Sequence, residues 1–225
     1  MISRRNIRIK VMQTLYSVTS FENDLELPSG DQSILQQHFS QTRSLLVYLT
    51  WFLTEVARYA ETDAHHRAAK HLPSAEDLHV NTKIAGNELL WKMLEDPALK
   101  EQFASEKPEA ILRRSQDRIE MTRKTYHQLA ETPEYKTYIS QPARDRAEEK
   151  KILEFILNDL MLANEGFVSH IEENFSNWDD DGEMVVQLLA GYLHKPGSYD
   201  FNQMLSPDKE QFARELLDAV TEKSE

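Results

Sequence analysis

Four cations fall within seven residues near the start of the chain: Arg4, Arg5, Arg8 and Lys10. Three are arginines, whose planar guanidinium donates two parallel hydrogen bonds to a phosphate or carboxylate. Gln13 and Tyr16 follow at helical distance. Gln13 carries an amide that can give and take hydrogen bonds, and Tyr16 a ring on which a base can stack. These types and spacings suit the binding of an anion, with Arg4, Arg5 and Arg8 on phosphate and Lys10 as a peripheral charge. The charge distribution isolates them. Residues 1–21 carry +4 and the rest of the chain −16, for a net −12. Bulk acidity excludes indiscriminate nucleic-acid binding but not one local basic site. A competing reading stands beside it: the arginines pair with the protein's own surplus of Asp and Glu.

Other clusters carry less chemistry. In "NWDDDGEMVVQL", Asn177, Asp179, Asp181 and Gly182 fall at positions one, three, five and six of a calcium loop. Position twelve is Leu188, where the loop needs a bidentate carboxylate. An Asp-rich turn that caps the following helix accounts for the segment better. His65, His66 and His71 have no i, i+4 pairing of imidazoles, so they read as solvated residues at a helix end rather than metal ligands. The chain has no cysteine, hence no thiolate site or disulfide framework. Glycine-rich phosphate loops and nucleophile elbows are absent from the sequence. The expectation is no catalysis, no cofactor and no metal.

The elements that must hold the basic residues are helices. Glycine is scarce, at 6 in 225 residues, and helical spacing runs through nearly the whole chain. The expected fold class is all-α, a multi-helix bundle in one domain. A first helix covers residues 4–20, with Ile7, Val11, Leu15 and Val18 as its core stripe and Met12 and Tyr16 extending the apolar side. Arg4 and Arg8 are i, i+4 neighbours beside it. Like charges at that spacing, and cations in a first turn, each cost a few tenths of a kcal/mol, roughly. After a polar loop, "FENDLELPSGD", one long helix covers residues 32–70, N-capped by Asp31 and ended by Pro73. Its block "LLVYLTWFL" is too short to span a bilayer and reads as buried core. Further helices are expected after Asn81, from Pro108 onward without interruption, at "TPEY", at "SQPARD", through "KKILEFILNDLMLANEGFVSHIEENF", and over "DDDGEMVVQLLAGYLHKPGS" with a Pro-Gly stop. A last one has Ser206 as N-cap and Pro207 at its first position. A cytoplasmic location is the default expectation.

The stretch "RRNIRIKVMQTLYS" resembles the first helix of the transcription antitermination factor NusB family. Arg4, Arg5 and Arg8 fall where that family's arginines fall, and Gln13, Leu15, Tyr16 and Ser17 match its Gln-x-Leu-Tyr-Ser ending. "FARELLDAV", residues 212–220, is similar to the family's second core helix. The resemblance implies core helices at 1–20 and 206–225 around an inserted helical region at 21–205, as in long family members of the Bacteroidetes type. Position 6 is Asn, where the pattern could supply another cation. The family's second half, with an Asn-Glu helix motif and a Phe-x-Asn-Gly ending, has no counterpart in these 225 residues. The chain is therefore expected to be a fragment of a longer protein or a divergent form. What the resemblance implies is binding of boxA-like RNA with the ribosomal protein NusE, within the RNA polymerase antitermination complex, and homodimers that cover the RNA face. Two rival expectations remain. One is an all-helical protein–protein interaction or dimerisation module without RNA binding. The other is the N-terminal domain of an RNA cytosine methyltransferase, which needs a nucleotide-binding α/β domain downstream.

Overall fold

The apolar run at residues 45–53 offers no polar face to solvent, so a helix built on it must be wrapped on all sides. In the computed structural model, which describes residues 1–21, 30–112, 115–195 and 200–222, that is its environment. Every residue from 45 to 53 is buried, and the most open, Trp51, is 7% exposed. The run lies in α2, Asp31–Ala68, whose 38 residues extend about 57 Å along the axis. Before it comes α1, Arg4–Phe21. After it come α3 (Ala75–Leu78), α4 (Glu88–Glu95), α5 (Pro97–Glu106), α6 (Ser115–Glu131), α7 (Pro133–Ser140) and α8 (Arg146–Phe155). The chain continues with α9 (Glu165–Asn174), α10 (Trp178–His194) and α11 (Pro207–Thr221). No strand occurs among the described residues, so the fold is all-α.

α1, α5, α6, α10 and α11 all pack along α2, and α1 also packs on α11. One continuous core results. It runs from Ile7 and Val11 of α1, through α2, to Ala213 and Leu217 of α11. Residues expected to form an insertion thus supply the surface on which the two expected core helices rest. No helix among the described residues is long and apolar enough to cross a membrane.

Local sequence explains most boundaries. Asn87 is fully buried and caps α4, accepting from the backbone N–H groups of Leu89 and Leu90 at 3.0 and 3.1 Å. Asp96 and Thr132 cap α5 and α7, each followed by proline at the first helical position. Asp145 caps α8.

Some expectations change. Gly30, not Asp31, is the N-cap of α2, and Asp31 is its first residue, where a carboxylate favours the positive helix end. Asn81 accepts from the Lys83 N–H and opens only the 3-10 turn Lys83–Gly86, so α4 depends on Asn87 instead. The segment from Pro108 does not continue unbroken: Pro108–Ala110 is a separate 3-10 turn before α6. The broad apolar segment after α8 passes through a π stretch, Ile156–Met161, in which the Leu162 N–H reaches the Leu157 carbonyl at 3.0 Å. Asn164 then restarts the chain as the cap of α9. Ser206 is the N-cap of α11 but makes no side-chain capping bond. The expected polar loop over residues 22–29 and the Pro-Gly stop at 196–197 lie outside the described residues.

Candidate nucleic-acid interface

Helix α1 is set by a stripe of inward residues. Ile7, Val11 and Val18 are buried and Leu15 is half-buried, so the expected stripe forms. Lys10 and Thr14 fall on the same side and are buried too. Lys10 is therefore not a peripheral charge. It is 3% exposed, and its ammonium is ion-paired with Asp181 at the start of α10. Asp181 also accepts from Thr42 Oγ1 of α2 at 2.7 Å and from Asn177 Nδ2 at 2.7 Å. Burial pulls the Lys10 ammonium below its ordinary range, and the facing carboxylate offsets part of that. This knot joins α1, α2 and α10.

The neighbouring Thr14 hydroxyl donates to the Lys10 carbonyl at 2.9 Å. Its one hydrogen is then used, so at 3.0 Å it accepts from His38 Nδ1–H of α2. Burial, then the Lys10 charge, lowers the His38 pKa, while Asp181 and Asp180 oppose the shift. Because the folded value lies below the unfolded one, folding favours the neutral ring, and stability falls as pH drops from about 6.5 toward the folded pKa. His170, also lowered by burial, acts in the same direction. Glu55, whose pKa is raised by burial, acts in the opposite one. We expect urea denaturation at pH 7.5 and 5.5 to show an acid loss of stability that is smaller in a His38→Gln variant. An unchanged loss in that variant would contradict this assignment.

The outward face of α1 holds the other candidates. Arg4, Arg5 and Arg8 are exposed, and none has an ion pair among the described residues. They neutralise no carboxylate among the described residues. Arg4 stands 6.0 Å above the Phe212 ring of α11, the outer limit of a cation–π contact. Arg5, Ile9, Met12 and Tyr16, at i, i+4, i+7 and i+11, share one face. Tyr16 is 76% exposed and Met12 64%. Neither extends the core stripe as expected, because Lys10 and Thr14 occupy the inward positions beside it. Gln13 is half-buried at the edge. The structure thus leaves Arg4, Arg5 and Arg8 exposed within about one turn of α1, sets Tyr16 about three turns further along on the Arg5 face, and removes Lys10.

Between α1 and α10 lies a cleft of about 520 Å³, with Arg5, Asn6 and Ile9 on one wall and Asp180 and Glu183 on the other. These carboxylates repel anions, so the side of α1 suited to an anion is that of Arg4 and Arg8. The segment once weighed as a calcium loop is helical from Trp178. Gly182 is needed there for packing, since a Cβ would meet the Trp178 ring at 2.9 Å. The Lys10–Asp181 knot was missed from sequence. Its one local signal is that Lys10 sits three residues after Ile7 and four before Thr14, on the inward stripe.

Against known proteins, no family model, no curated protein and no solved structure matches this chain.

Proposed function

We propose that the protein is an RNA-binding transcription antitermination factor of NusB type, without catalysis, acting in the cytoplasm. Its ligand is a boxA-like RNA, taken up together with the ribosomal protein NusE for the RNA polymerase antitermination complex. One observation carries the reading. On a chain of net charge −12, three guanidiniums stand exposed on the outward side of one helix, without carboxylate partners among the described residues. Cations that pay a helix-dipole penalty without an internal partner fit an external anion. The exposed Tyr16 ring on the same face favours a single strand, whose unstacked bases can lie on an aromatic side chain. The Arg-rich start and Gln-x-Leu-Tyr-Ser ending narrow this to the NusB type.

The test is fluorescence anisotropy with a boxA-like single-stranded RNA over a series of salt concentrations. Three phosphate contacts predict a log–log slope of about −2. Absence of binding at low salt, or binding indifferent to salt, rejects the reading.

A second reading rests on exposed Ile9 and Met12, which an RNA backbone does not need. In it the face docks a protein partner or a second copy. Light scattering separates the two, since a dimer indifferent to RNA supports this alternative.

A further inference from the structure

Buried carboxylates in this protein are well supplied with donors. Asp181 has three. Glu149, fully buried, accepts from Tyr138 Oη at 2.8 Å, from the Glu88 N–H at 2.6 Å and from Arg144 at 3.0 Å. Glu55 departs from this pattern. It is half-buried on α2 and has no hydrogen bond or ion pair among the described residues. Burial raises its pKa, and the Arg58 and Arg118 charges offset this only in part.

Glu55 lines a cleft of about 340 Å³ between α2 and α6. Thr122 of α6 lines it as well, at 4% exposure, and its hydroxyl is buried without a partner. Buried polar groups of folded proteins are nearly always paired. The other unpartnered buried atoms, Gln32 Oε1 and Tyr135 Oη, belong to residues outside this cleft. Arg58 and Arg118 stand on its walls, also without ion pairs among the described residues. Tyr59 and the exposed Ile119 add apolar surface.

The signs of charge select the ligand. Arg58 and Arg118 face Glu55 and Glu61, so the lining has both signs and no net charge with His66 neutral. A simple anion meets two carboxylates there, and a simple cation meets two guanidiniums. A molecule with both charges a short distance apart satisfies all of them. The volume lies near the lower end of small-molecule sites, which begin at about 300 Å³.

The geometry points to a binding site for a free α-amino acid with an apolar side chain. The ammonium sits on Glu55, the carboxylate on Arg58 and Arg118, and the side chain against Tyr59 and Ile119. The site is separate from the basic face of α1, and its test is independent of RNA.

The experiment is a nitrogen-15 NMR titration of the full chain with L-leucine, and in parallel with its two half-molecules, 3-methylbutylamine and 4-methylpentanoic acid. L-leucine is expected to move α2 and α6 amides around Glu55 and Thr122 saturably, with Kd on the order of 1 mM or tighter. Each half-molecule should bind at least about tenfold more weakly, because it leaves one charged wall unpaired. Glu55→Gln and Arg118→Ala should each weaken L-leucine about tenfold. Glu55→Gln should fold with a Tm equal to or above that of the parent, because it removes an unpaired, half-buried carboxylate. Three results overturn the proposal: no saturable shift up to about 10 mM, half-molecules as effective as the amino acid, or either variant binding as the parent does.

Discussion

Replacing Asp181 by alanine is expected to destabilise the protein by about 3–5 kcal/mol, because one member of a buried ion pair is removed and the other stays. The Lys10 ammonium, 3% exposed, would face the core alone, and Thr42 Oγ1 and Asn177 Nδ2 would lose the same acceptor. Thr42 retains an alternative, since its hydroxyl lies 2.9 Å from the His38 carbonyl. The variant's deficit should narrow with rising pH. Asp181 raises the Lys10 pKa that burial lowers, so without it the folded value falls further below the unfolded one, and the variant gains more stability than the parent as pH rises toward the unfolded Lys value of about 10.4. A Lys10→Met/Asp181→Leu double variant should recover most of the loss, because neither charge is then buried unpaired. Urea denaturation of the parent, Lys10→Met, Asp181→Leu and the double variant gives the coupling through a double-mutant cycle. A single-variant loss below about 1 kcal/mol, the level of an exposed ion pair, would mean that the pair is not buried in solution.

Reversing the three arginines together, as Arg4→Glu, Arg5→Glu and Arg8→Glu, is expected to lower RNA affinity about thousandfold and to abolish the salt slope. Each lost charge-assisted contact accounts for roughly a factor of ten. The fold should not suffer. These side chains are exposed and hold no carboxylate among the described residues, and acidic residues in a first turn favour the helix dipole by a few tenths of a kcal/mol, roughly. Binding and stability should thus move in opposite directions. Lys10→Met, if folded, should leave the affinity nearly unchanged. Affinity that survives the triple reversal places the RNA elsewhere on the protein.

The helical class and the inward stripe of α1 were legible because both are periodic. Ile7, Val11 and Val18 repeat at the helix period, and their burial follows from it. Lys10 occupies an inward position by the same arithmetic, but its type argues for solvent. Its partner lies 171 residues away, a relation no local pattern contains. Three successive aspartates start α10, and only tertiary packing decides that Asp181 turns inward while Asp180 stays exposed. The arginines were legible as cations, but not as unpaired ones. That depends on every nearby carboxylate, and it is the property that bears on binding. Glu55 carried no sequence signal at all, since a lone glutamate at a helical position looks like any solvated charge. Helix breaks at Pro108–Ala110 and at Ile156–Met161 escaped because the apolar pattern runs across them undisturbed.

The sheathing of α2 has a consequence for synthesis of the chain. Its run at residues 45–53 is covered in part by α9, where His170 meets Tyr48 at 2.7 Å and Phe167 meets Phe52, and α9 is translated more than a hundred residues later. During that interval the nascent chain carries nine consecutive, largely apolar residues with one flank bare. Contacts of such long sequence separation close late and slowly, because the loop entropy is lost before the contacts form. The same segment that dominates the finished core is therefore the one that must be kept from other chains while the ribosome works. Its cover is completed only after α9 has been translated.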